Sequence, residues 1–461
     1  MCYRDRQKYH PFDFVVPPGT QQLRICFNYT PGNIGDVHNL LTLTLFDPLG
    51  FRGAAHRWSI EQEILVTGAR ATPGFLPGPI PSGKWQVEID AHEILNDGQA
   101  HGWCEFELSV VAQNAPSGEA FPVRPICKDP RKTPPQAACI RTKPGWYKGD
   151  LHSHNQHCDG SSPTLDMAAA AVGCGLDFLA VTCHNTTSWF GTTQSWPEGL
   201  LPVRGMECTT YYGHANVLGI EAWVDWRTAG CVFGTRTILK QAKQMNALFV
   251  INHPCAVGNP LCTGCHWSYL GVDFAQVDCL EIWNGTWDER GVYNPSALAL
   301  WSELLNEGIH ITAVAGTDNH AAHHYQSRKG LAFTWVYAEG LAEADILNAL
   351  QQGRAFLSSG PELYFTATSS SGFKTSLPGT TMPVKEPVSI TVKVGKLQNS
   401  ATLWLVTDGC AEQSWHVSVP GTEVFIDAVS PKRWCRFELR NGNGVDGELL
   451  AITNPLYTER S

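Results

Sequence analysis

Short apolar runs in the middle of this chain, each the length of one strand, repeatedly end in a side chain that can bind a metal ion. Segments with apolar residues at helical spacing alternate with several of these runs. Alternating strands and helices are typical of a parallel α/β fold, and seven such runs predict a closed barrel. The predicted strands are 148–152, 178–182, 203–207, 215–219, 248–252, 279–283 and 311–316, and the predicted helices are 164–172, 235–246, 296–306 and 343–352.

The residues on either side of this region have the pattern of β structure. Residues 1–125 contain short alternating apolar runs separated by turn signals, which predicts a β-sandwich of jelly-roll type. Residues 361–461 return to the same alternation and predict a small second β domain. A stretch rich in Pro, Lys and Arg at 126–144 is the expected linker to the barrel, which we place at 145–360.

The polar ends of the central runs supply nine candidate metal ligands. Because the C-terminal ends of strands in a parallel barrel form one rim, side chains far apart in the sequence would meet in one pocket. Residues two apart on a strand also share a face, as at 152/154 and 318/320. Imidazole and carboxylate groups suit Zn, Mn or Fe(II). The candidates are His152, His154, Asp159, His184, Glu207, His214, His253, Asp318 and His320.

Each piece of this pattern has an ordinary explanation when it is taken alone. A single His-x-His is usually incidental, and Asp159-Gly160 would pass as a turn. The pattern as a whole is different, because successive strands would each have to place a ligand type at the same end by accident. Polar side chains at the ends of apolar strands also cost burial energy unless something binds them. We therefore expect a metal-dependent enzyme.

The charge and the hydropathy of the sequence argue against some classes of partner. The net charge of −10, without a Lys/Arg-rich run, argues against a nucleic-acid partner. No window reaches the roughly 18 apolar residues that a membrane-spanning helix needs. The charged first residues are followed by no apolar stretch, so we expect a cytoplasmic protein with reduced cysteines that acts on a small molecule. The sequence leaves the oligomeric state open.

The order of the candidate ligands resembles the polymerase-and-histidinol-phosphatase (PHP) superfamily. The segments 71–81, 281–285 and 453–455 resemble, within that superfamily, the CehA/McbA-type metallohydrolases. Named members of that type hydrolyse an aryl carbamate ester, and relatives are usually assigned as phosphoesterases. The resemblance covers about residues 145–360 and rests on His152-x-His154, Asp159-Gly160, Thr-x-His184, Glu207, His214, His253 and Asp318-x-His320.

The resemblance implies a distorted (β/α)7 barrel that holds two or three divalent ions (Zn, Mn or Fe). Glu207 would bridge two of the ions. The sequence departs from the family at Cys183, which stands where an Asp usually precedes His184. Either Cys183 is a buried side chain that binds no ion, or it faces the ions and favours Zn. The implied ligand sets are His152, His154, Glu207 and Asp318 for one ion, Glu207, His214 and His253 for a second, and Asp159, His184 and His320 for a third.

We expect a hydrolase in which a metal-bridging hydroxide attacks the substrate. The leaving group would be protonated by His323, by His324 or by a metal-bound water, although an ordinary loop role is the simpler explanation for both histidines. The residues expected to take part in catalysis are Glu207, Asp318, His320 and His323. The candidate substrate contacts are Arg328, Lys329 and Trp283.

Three functions remain compatible with these residues. The first is a phosphoesterase, in particular a phosphodiesterase. The second is an ester or carbamate hydrolase that uses the same metal centre on carbon. The third is a binding protein with a relic barrel, which the complete set of candidate ligands disfavours.

One further motif, Cys262-Thr263-Gly264-Cys265-His266, has the spacing of a c-type haem attachment site. In a chain with no export signal, haem attachment is disfavoured. With Cys255 nearby, the motif could form a small structural zinc site, and otherwise it is a loop over the pocket.

Overall fold

A computed structural model describes residues 1–96, 102–114, 139–229, 231–288, 291, 293–383 and 387–458. The fold is mixed α/β and rich in strands, with few helices. Most of the linker predicted at 126–144 lies outside the described residues. Within the described part of the chain, none of the helices combines the length and the apolar character that crossing a bilayer requires.

The N-terminal part consists of antiparallel sheets. One has the order β1-β8-β5-β6, a second has the order β7-β2-β9, and a third pairs β3 with β4. Alternate side chains of β2 are buried, and they share one core with β5 and β8, as the period of two in the sequence predicts. The strands are β1 (Lys8–Val16), β2 (Gln22–Thr30), β3 (Asn33–Ile34), β4 (Val37–His38), β5 (Leu40–Asp47), β6 (Gly50–Ala55), β7 (Glu61–Thr67), β8 (Gly83–Glu93) and β9 (Glu105–Gln113).

The central part has strands in the order β16-β15-β14-β13-β12-β11-β10-β17. All seven predicted central strands are confirmed, with small differences at their ends. Six of them are buried along their whole length, which explains why they are almost continuously apolar in the sequence. The strands are β10 (Gly145–Asp150), β11 (Phe178–Val181), β12 (Leu201–Thr209), β13 (His214–Leu218), β14 (Leu248–Ile251), β15 (Cys279–Asn284), β16 (Thr312–Gly316), β17 (Phe333–Ala338) and β18 (Ala355–Ser358).

The four predicted central helices are also confirmed, and one short helix joins them. The α-helices are α1 (Thr164–Gly173), α2 (Thr235–Gln244), α3 (Asn294–Asn306), α4 (His324–Ser327) and α5 (Glu343–Gln351). Short 3-10 helices lie at Tyr3–Asp5, Ser188–Ser195, Trp226–Ala229 and Phe274–Gln276.

The central sheet is mixed, whereas the sequence predicts a parallel one. β10, β11 and β12 run parallel, as do β14, β15 and β16, but β13 is antiparallel to both of its neighbours. The reason is the short connection from β12 to β13, since a parallel crossover needs a dozen or more residues. The strands at the two ends of this order, β16 and β17, are also joined by hydrogen bonds. The hydroxyl of Thr334 in β17 accepts from the main-chain N–H of Ala315 in β16 and donates to its carbonyl oxygen, both at 2.8 Å.

The C-terminal part continues the central sheet. β18 pairs with β27, and the ladder continues through β26 and β23 to β24, so it crosses the domain boundary predicted at 360. A separate sheet has the order β20-β19-β22-β25. The strands are β19 (Glu362–Ser369), β20 (Lys374–Thr375), β21 (Thr381–Met382), β22 (Val388–Gly395), β23 (Ala401–Thr407), β24 (Cys410–Val417), β25 (Thr422–Val429), β26 (Trp434–Asn441), β27 (Leu449–Thr453) and β28 (Leu456–Thr458).

The side chain of Asn454 joins this C-terminal part to the central strands. It accepts a hydrogen bond from the main-chain N of Ala313 at 2.8 Å and donates to the carbonyl oxygens of Ala313 and Ala355 at 3.0 Å. Because Asn454 is buried, these bonds hold β16 and β18 together where no backbone ladder pairs them among the described residues.

The N-terminal part contacts the central part beside the loop that follows β10. Arg57 donates to the carbonyl oxygens of Gln156 at 3.2 Å and Cys158 at 3.1 Å. The carbonyl oxygen of Gly74 accepts a hydrogen bond from Thr186 at 2.7 Å. The N-terminal strands are therefore held against the rim that carries the candidate ligands.

Candidate metal centre

The nine candidate ligands converge although they lie on different strands. The loop after β10 carries three of them, and β11, β14 and β16 are each followed by one or two more. Glu207 lies near the end of β12, and His214 is the first residue of the antiparallel strand β13. The reversed direction of β13 brings its first residue to the same rim, because β12 and β13 pair directly from Thr209 to His214.

The ligand atoms form three overlapping groups in which all atoms lie within 4.8 Å of one another. The implied third set, Asp159, His184 and His320, is brought together and also includes His154. The first set keeps His152, His154 and Asp318 without Glu207, and the second keeps Glu207 and His253 with His152 in place of His214. The groups are His154/Asp159/His184/His320, His152/His154/Asp318 and His152/Glu207/His253.

Glu207 lies at the centre of the cluster. Its Oε1 atom is 3.4 Å from Nε2 of His152, 3.4 Å from Nδ1 of His214 and 3.6 Å from Nε2 of His253. Its Oε2 atom is 2.8 Å from Nδ1 of His184 and 3.5 Å from Nε2 of His154. One carboxylate therefore faces imidazoles from four segments of the chain, which is the position that a bridging ligand needs.

The other two carboxylates lie on either side of His154. Oδ1 of Asp318 is 3.0 Å from Nε2 of His154 and 3.4 Å from Nε2 of His152. Oδ1 of Asp159 is 3.5 Å from Nε2 of His184 and 3.3 Å from Nε2 of His320. The cluster thus extends in one direction, with Asp318 near its middle and Asp159 at one end.

Buried atoms without hydrogen bonds show that this cluster fits bound cations. Each such atom costs roughly 1–3 kcal/mol when it stays unsatisfied. Four of them facing a single cluster are explained by divalent ions, for which imidazole nitrogen and carboxylate oxygen are suitable ligands. The atoms, which lack a hydrogen-bond partner among the described residues, are His152 Nε2, His154 Nε2, Asp159 Oδ1 and Glu207 Oε2.

The electrostatics of the cluster agree with this fit. Burial would raise the pKa of the Glu207 carboxyl, but the facing His184 and His152 outweigh it and hold that pKa well below its usual range. Burial would lower the pKa of His320, but Asp159 and Asp318 raise it to about 10. Nearby positive charge therefore stabilises the buried carboxylates. Protons on the histidines supply this charge, and metal ions would supply it when they replace those protons.

A second layer of polar groups orients the ligands. Nδ1 of His152 lies 3.0 Å from Oε1 of Glu281, whose other oxygen accepts the main-chain N–H of His253 at 2.9 Å. Asn252 donates to Oε1 of Glu207 at 2.8 Å. Partners of this kind fix the tautomer and the ring orientation of metal-binding histidines. Sequence reasoning missed Glu281, although a carboxylate inside an apolar strand was a signal.

The backbone at two ligands has an unusual conformation. His253 has φ +28° and Asp318 has φ +51°, a region that non-glycine residues rarely occupy. Such strain costs of order 1–3 kcal/mol per residue and is concentrated at functional sites. Close packing beneath the cluster also requires Gly316, where a Cβ atom would lie 2.3 Å from Cβ of His152 and 2.5 Å from Oε1 of Glu281.

A cavity of about 270 Å³ opens over the cluster. Its wall includes Leu40, His56 and Trp58 from the N-terminal part of the chain, together with seven of the candidate ligands. The His56 ring packs on His184 with centroids 4.5 Å apart, and its buried Nδ1 atom has no hydrogen-bond partner among the described residues. Sequence reasoning missed these residues, because no local signal shows that the first part of the chain reaches the rim.

The remaining predicted site residues lie away from this cavity. His323 is exposed and, with His324, stands at the start of α4. Arg328 donates to the carbonyl oxygen of Thr317 at 3.2 Å, and Lys329 is exposed on the loop beyond it. Trp283 is fully buried and packs against another tryptophan. None of these residues is among those that line the cavity in the described part of the chain.

Three cysteines that the sequence analysis singled out have defined partners. Cys183 is buried and its Sγ atom donates to Oδ1 of Asn155 at 3.0 Å, so it joins none of the ligand groups found among the described residues. Cys262 and Cys265 form a disulfide, which corrects the expectation that all cysteines are reduced. The disulfide forms because two residues between the cysteines bring their Cα atoms to 5.5 Å, within the range that a bridge spans.

Comparison with known proteins gives distant structural similarities. No family model matches this sequence, and no curated protein matches it. A two-domain protein of Bacteroides vulgatus that contains a predicted PHP-like metal-dependent phosphoesterase has a TM-score of 0.39 and 16% identity, over 71% of this chain and 99% of that chain.

Two further solved structures are similar to a smaller part of the chain. A proposed metal-dependent phosphoesterase of Bifidobacterium adolescentis has a TM-score of 0.27 and 14% identity, over 39% of this chain and 89% of that chain. An amidohydrolase of Chromobacterium violaceum, solved with bound sulfate and no metal, has a TM-score of 0.26 and 13% identity, over 38% of this chain and 87% of that chain. At such values, the function has to be inferred from the side chains of the site itself.

Proposed function

We propose that this chain is a PHP-type metal-dependent hydrolase that cleaves phosphodiesters. The proposal includes a distorted (β/α)7 barrel between an N-terminal β-sandwich (1–125) and a C-terminal β domain (361–461). The observation that carries it is the position of Glu207, whose two carboxylate oxygens face five candidate ligand histidines within 3.6 Å.

The proposed metal sites follow the three groups of ligand atoms. His154, Asp159, His184 and His320 would hold one ion, His152, His154 and Asp318 a second, and His152, Glu207 and His253 a third. Two or three divalent ions would polarise the substrate oxygen and make hydroxide available near neutral pH. His152 and His154 each belong to two groups, but each offers a single nitrogen to the cluster, so each would bind only one of two neighbouring ions.

The chain's own residues support this chemistry by excluding water and positioning the substrate. His152, His154 and Glu207 are at most 1% exposed, so charge interactions around them are stronger than in bulk water. Leu40, His56 and Trp58 form the facing wall of the cavity. We propose that Trp58 packs on the apolar group of the substrate and that His56 contacts the group bound over His184.

The alternative is an ester or carbamate hydrolase that uses the same metal centre. One observation favours it: the cavity lining contains no Lys or Arg among the described residues. A substrate with two negative charges would then depend on the metal ions alone, so a phosphomonoester is the least suitable substrate. A diester with one charge and a neutral carbamate both remain suitable, and the closed ligand cluster disfavours a relic binding protein.

A substrate panel on metal-reconstituted protein tests the proposal. The apo protein would be loaded with Zn, Mn or Fe(II) and assayed with bis-p-nitrophenyl phosphate, p-nitrophenyl phosphate and a naphthyl carbamate. We expect hydrolysis of the diester to exceed that of the monoester and to stop when a chelator removes the ions. Preference for the carbamate would establish the alternative, and metal-loaded protein that hydrolyses none of them would refute the proposed function.

A further inference from the structure

The segment between β14 and β15 carries a small loop closed by the disulfide between Cys262 and Cys265. Below the disulfide, Cys255 pairs with His266, and the main-chain N–H of Trp267 donates to the carbonyl oxygen of Pro254 at 3.0 Å. Both disulfide cysteines line the cavity over the cluster and a second cavity of about 470 Å³ beside it. We call residues 262–265 the disulfide loop.

Two main-chain carbonyls of the disulfide loop hold two candidate ligands. Nε2 of His214 lies 3.1 Å from the carbonyl oxygen of Thr263, and Nδ1 of His253 lies 3.1 Å from that of Cys265. A carbonyl only accepts, so each histidine must carry its proton on the nitrogen that faces the loop. The other nitrogen of each ring is then free to bind a cation, and both of these nitrogens face Oε1 of Glu207.

The disulfide loop fits this position tightly. Gly264 has φ +77°, and a Cβ atom there would lie 1.9 Å from the carbonyl oxygen of Thr210 and 3.2 Å from Cδ2 of His214. The hydroxyl of Thr263 donates to the carbonyl oxygen of His92 at 3.3 Å. The loop is thus packed between β12, the ligand His214 and the N-terminal part, and its carbonyl positions depend on a closed conformation.

We propose that the disulfide loop is a redox-dependent positioning element of the metal centre, which holds His214 and His253 in their metal-binding orientation only while Cys262 and Cys265 are bonded. The proposal rests on the proposed metal centre. A dithiol would open the bond in two exchange steps: its first thiolate forms a mixed disulfide, and its second displaces the protein thiol. Two thiols form on the protein, the reductant becomes a disulfide, and two electrons are transferred.

The position of the bond allows this reaction. Both cysteines are partly exposed in the cavity wall, whereas most cysteines near the cluster, such as Cys158 and Cys208, are buried. Opening the bond removes the constraint on the two carbonyls but touches none of His154, Asp159 and His320. The loss should therefore concern the ion near His253 and leave the ion near Asp159 in place.

The test measures metal binding rather than hydrolysis. Apo protein would be prepared oxidised, or reduced with dithiothreitol and desalted without oxygen, and then titrated with Zn²⁺ or Mn²⁺ against a chelating dye. The variant Cys262→Ser/Cys265→Ser removes the bond permanently, and Cys231→Ser/Cys410→Ser, which changes two exposed free cysteines, is the matched control. Thermal unfolding of each apo protein checks the fold.

We expect reduction and the first double variant to weaken binding of one ion by about 10–100-fold, the usual effect of losing a partner of a ligand histidine. The control variant should bind as the oxidised wild type does. Equal affinity and stoichiometry in all forms, or free thiols at both positions in the air-oxidised protein, would overturn the inference. If the protein hydrolyses a substrate but binds metal equally well when oxidised and reduced, only this inference is refuted. If metal binding depends on the redox state but no substrate is hydrolysed, only the proposed function is refuted.

Discussion

Glu281 and His152 form a buried pair in which the carboxylate lies 3.0 Å from the imidazole nitrogen that faces away from the ligand cluster. Both side chains are at most 2% exposed. Glu281 thereby fixes which nitrogen of His152 faces Glu207 and Asp318. The same carboxylate accepts the main-chain N–H of His253, so one acidic side chain orients two candidate ligands.

Removing this carboxylate should weaken metal binding without removing a ligand. We expect Glu281→Gln to lower the metal affinity by about 10–100-fold, because His152 loses its charged partner. Dye-competition titration of the apo protein measures the change. Glu303→Gln, on the exposed face of α3, is the control and should bind like the wild type. Unchanged affinity in Glu281→Gln would show that His152 needs no such partner.

Removing a proposed ligand should abolish hydrolysis while the fold survives. His152→Ala and Asp318→Ala each remove a ligand from the group His152/His154/Asp318. We expect hydrolysis of bis-p-nitrophenyl phosphate to fall to background and the bound metal to fall below the wild-type stoichiometry. Circular dichroism should stay unchanged. Full activity in either variant would refute the ligand assignment.

The exposed position of His323 bears on whether this residue is the general acid. A side chain that protonates the leaving group contributes typically 10²–10⁴-fold to the rate. Because His323 lies outside the described lining of the cavity, we expect His323→Ala to keep kcat within about threefold of the wild type, well short of that contribution. A fall of kcat by 10² or more, steepest for substrates with a poor leaving group, would restore His323 as the acid.

Trp58 should act on substrate binding rather than on the chemical step. Its side chain is 46% exposed and lines the cavity, so its removal leaves the core intact. An aromatic contact is worth about 0.5–1.5 kcal/mol, which predicts a rise in KM for aryl substrates of roughly 2–10-fold in Trp58→Ala with little change in kcat. Trp103, equally exposed, does not line the cavity in the described part of the chain, and Trp103→Ala is the control.

A buried ion network in the C-terminal part predicts a pH-dependent stability. Glu438 lies 2.8 Å from Arg436 and 2.6 Å from Arg440, and all three are buried. Burial would raise the pKa of Glu438, but the two guanidinium groups outweigh it and lower that pKa below its usual value. A lowered carboxyl pKa stabilises the fold above the unfolded-state value, about 4.3, and the contribution is lost as the pH falls through the folded-state value.

Glu438→Gln should therefore destabilise the protein by about 3–5 kcal/mol at pH 7, because two buried guanidinium groups lose their charged partner. Urea unfolding at pH 7 and at pH 4 measures the effect, and the difference between variant and wild type should shrink at the lower pH. Glu423→Gln removes an exposed partner of Lys393 and should change the free energy of unfolding by less than about 1 kcal/mol. A pH-independent difference would contradict the linkage.

The central strands and the convergence of the candidate ligands were predictable from the sequence for one physical reason. Buried strands are continuously apolar, so a His or Asp that ends such a run stands out, as His152 and Asp318 do. The antiparallel direction of β13 was not predictable, because an apolar run has the same pattern in a parallel and in an antiparallel strand. His214 was still found, since reversing the strand exchanges its ends and the candidate stands at its first residue.

The surroundings of the ligands were much less predictable. The groups that hold His214 and His253 are main-chain carbonyls, which any residue carries, so no pattern of residue types reveals them. His56 reaches the cluster through the packing of separate sheets, more than a hundred residues away in the sequence from His184. Only the disulfide loop had a signal in its Cys-x-x-Cys spacing, and that spacing fits several different roles.

The side chain of Asn454 couples the C-terminal strands to the rim that carries the candidate ligands. A protein truncated after residue 360 would leave the amide and carbonyl of Ala313 without their partner, on the strand that ends just before Asp318. We therefore expect that the segment with the candidate ligands will not fold when it is expressed alone. Chimaeras that exchange the C-terminal strands should fold only when β16 is exchanged with them.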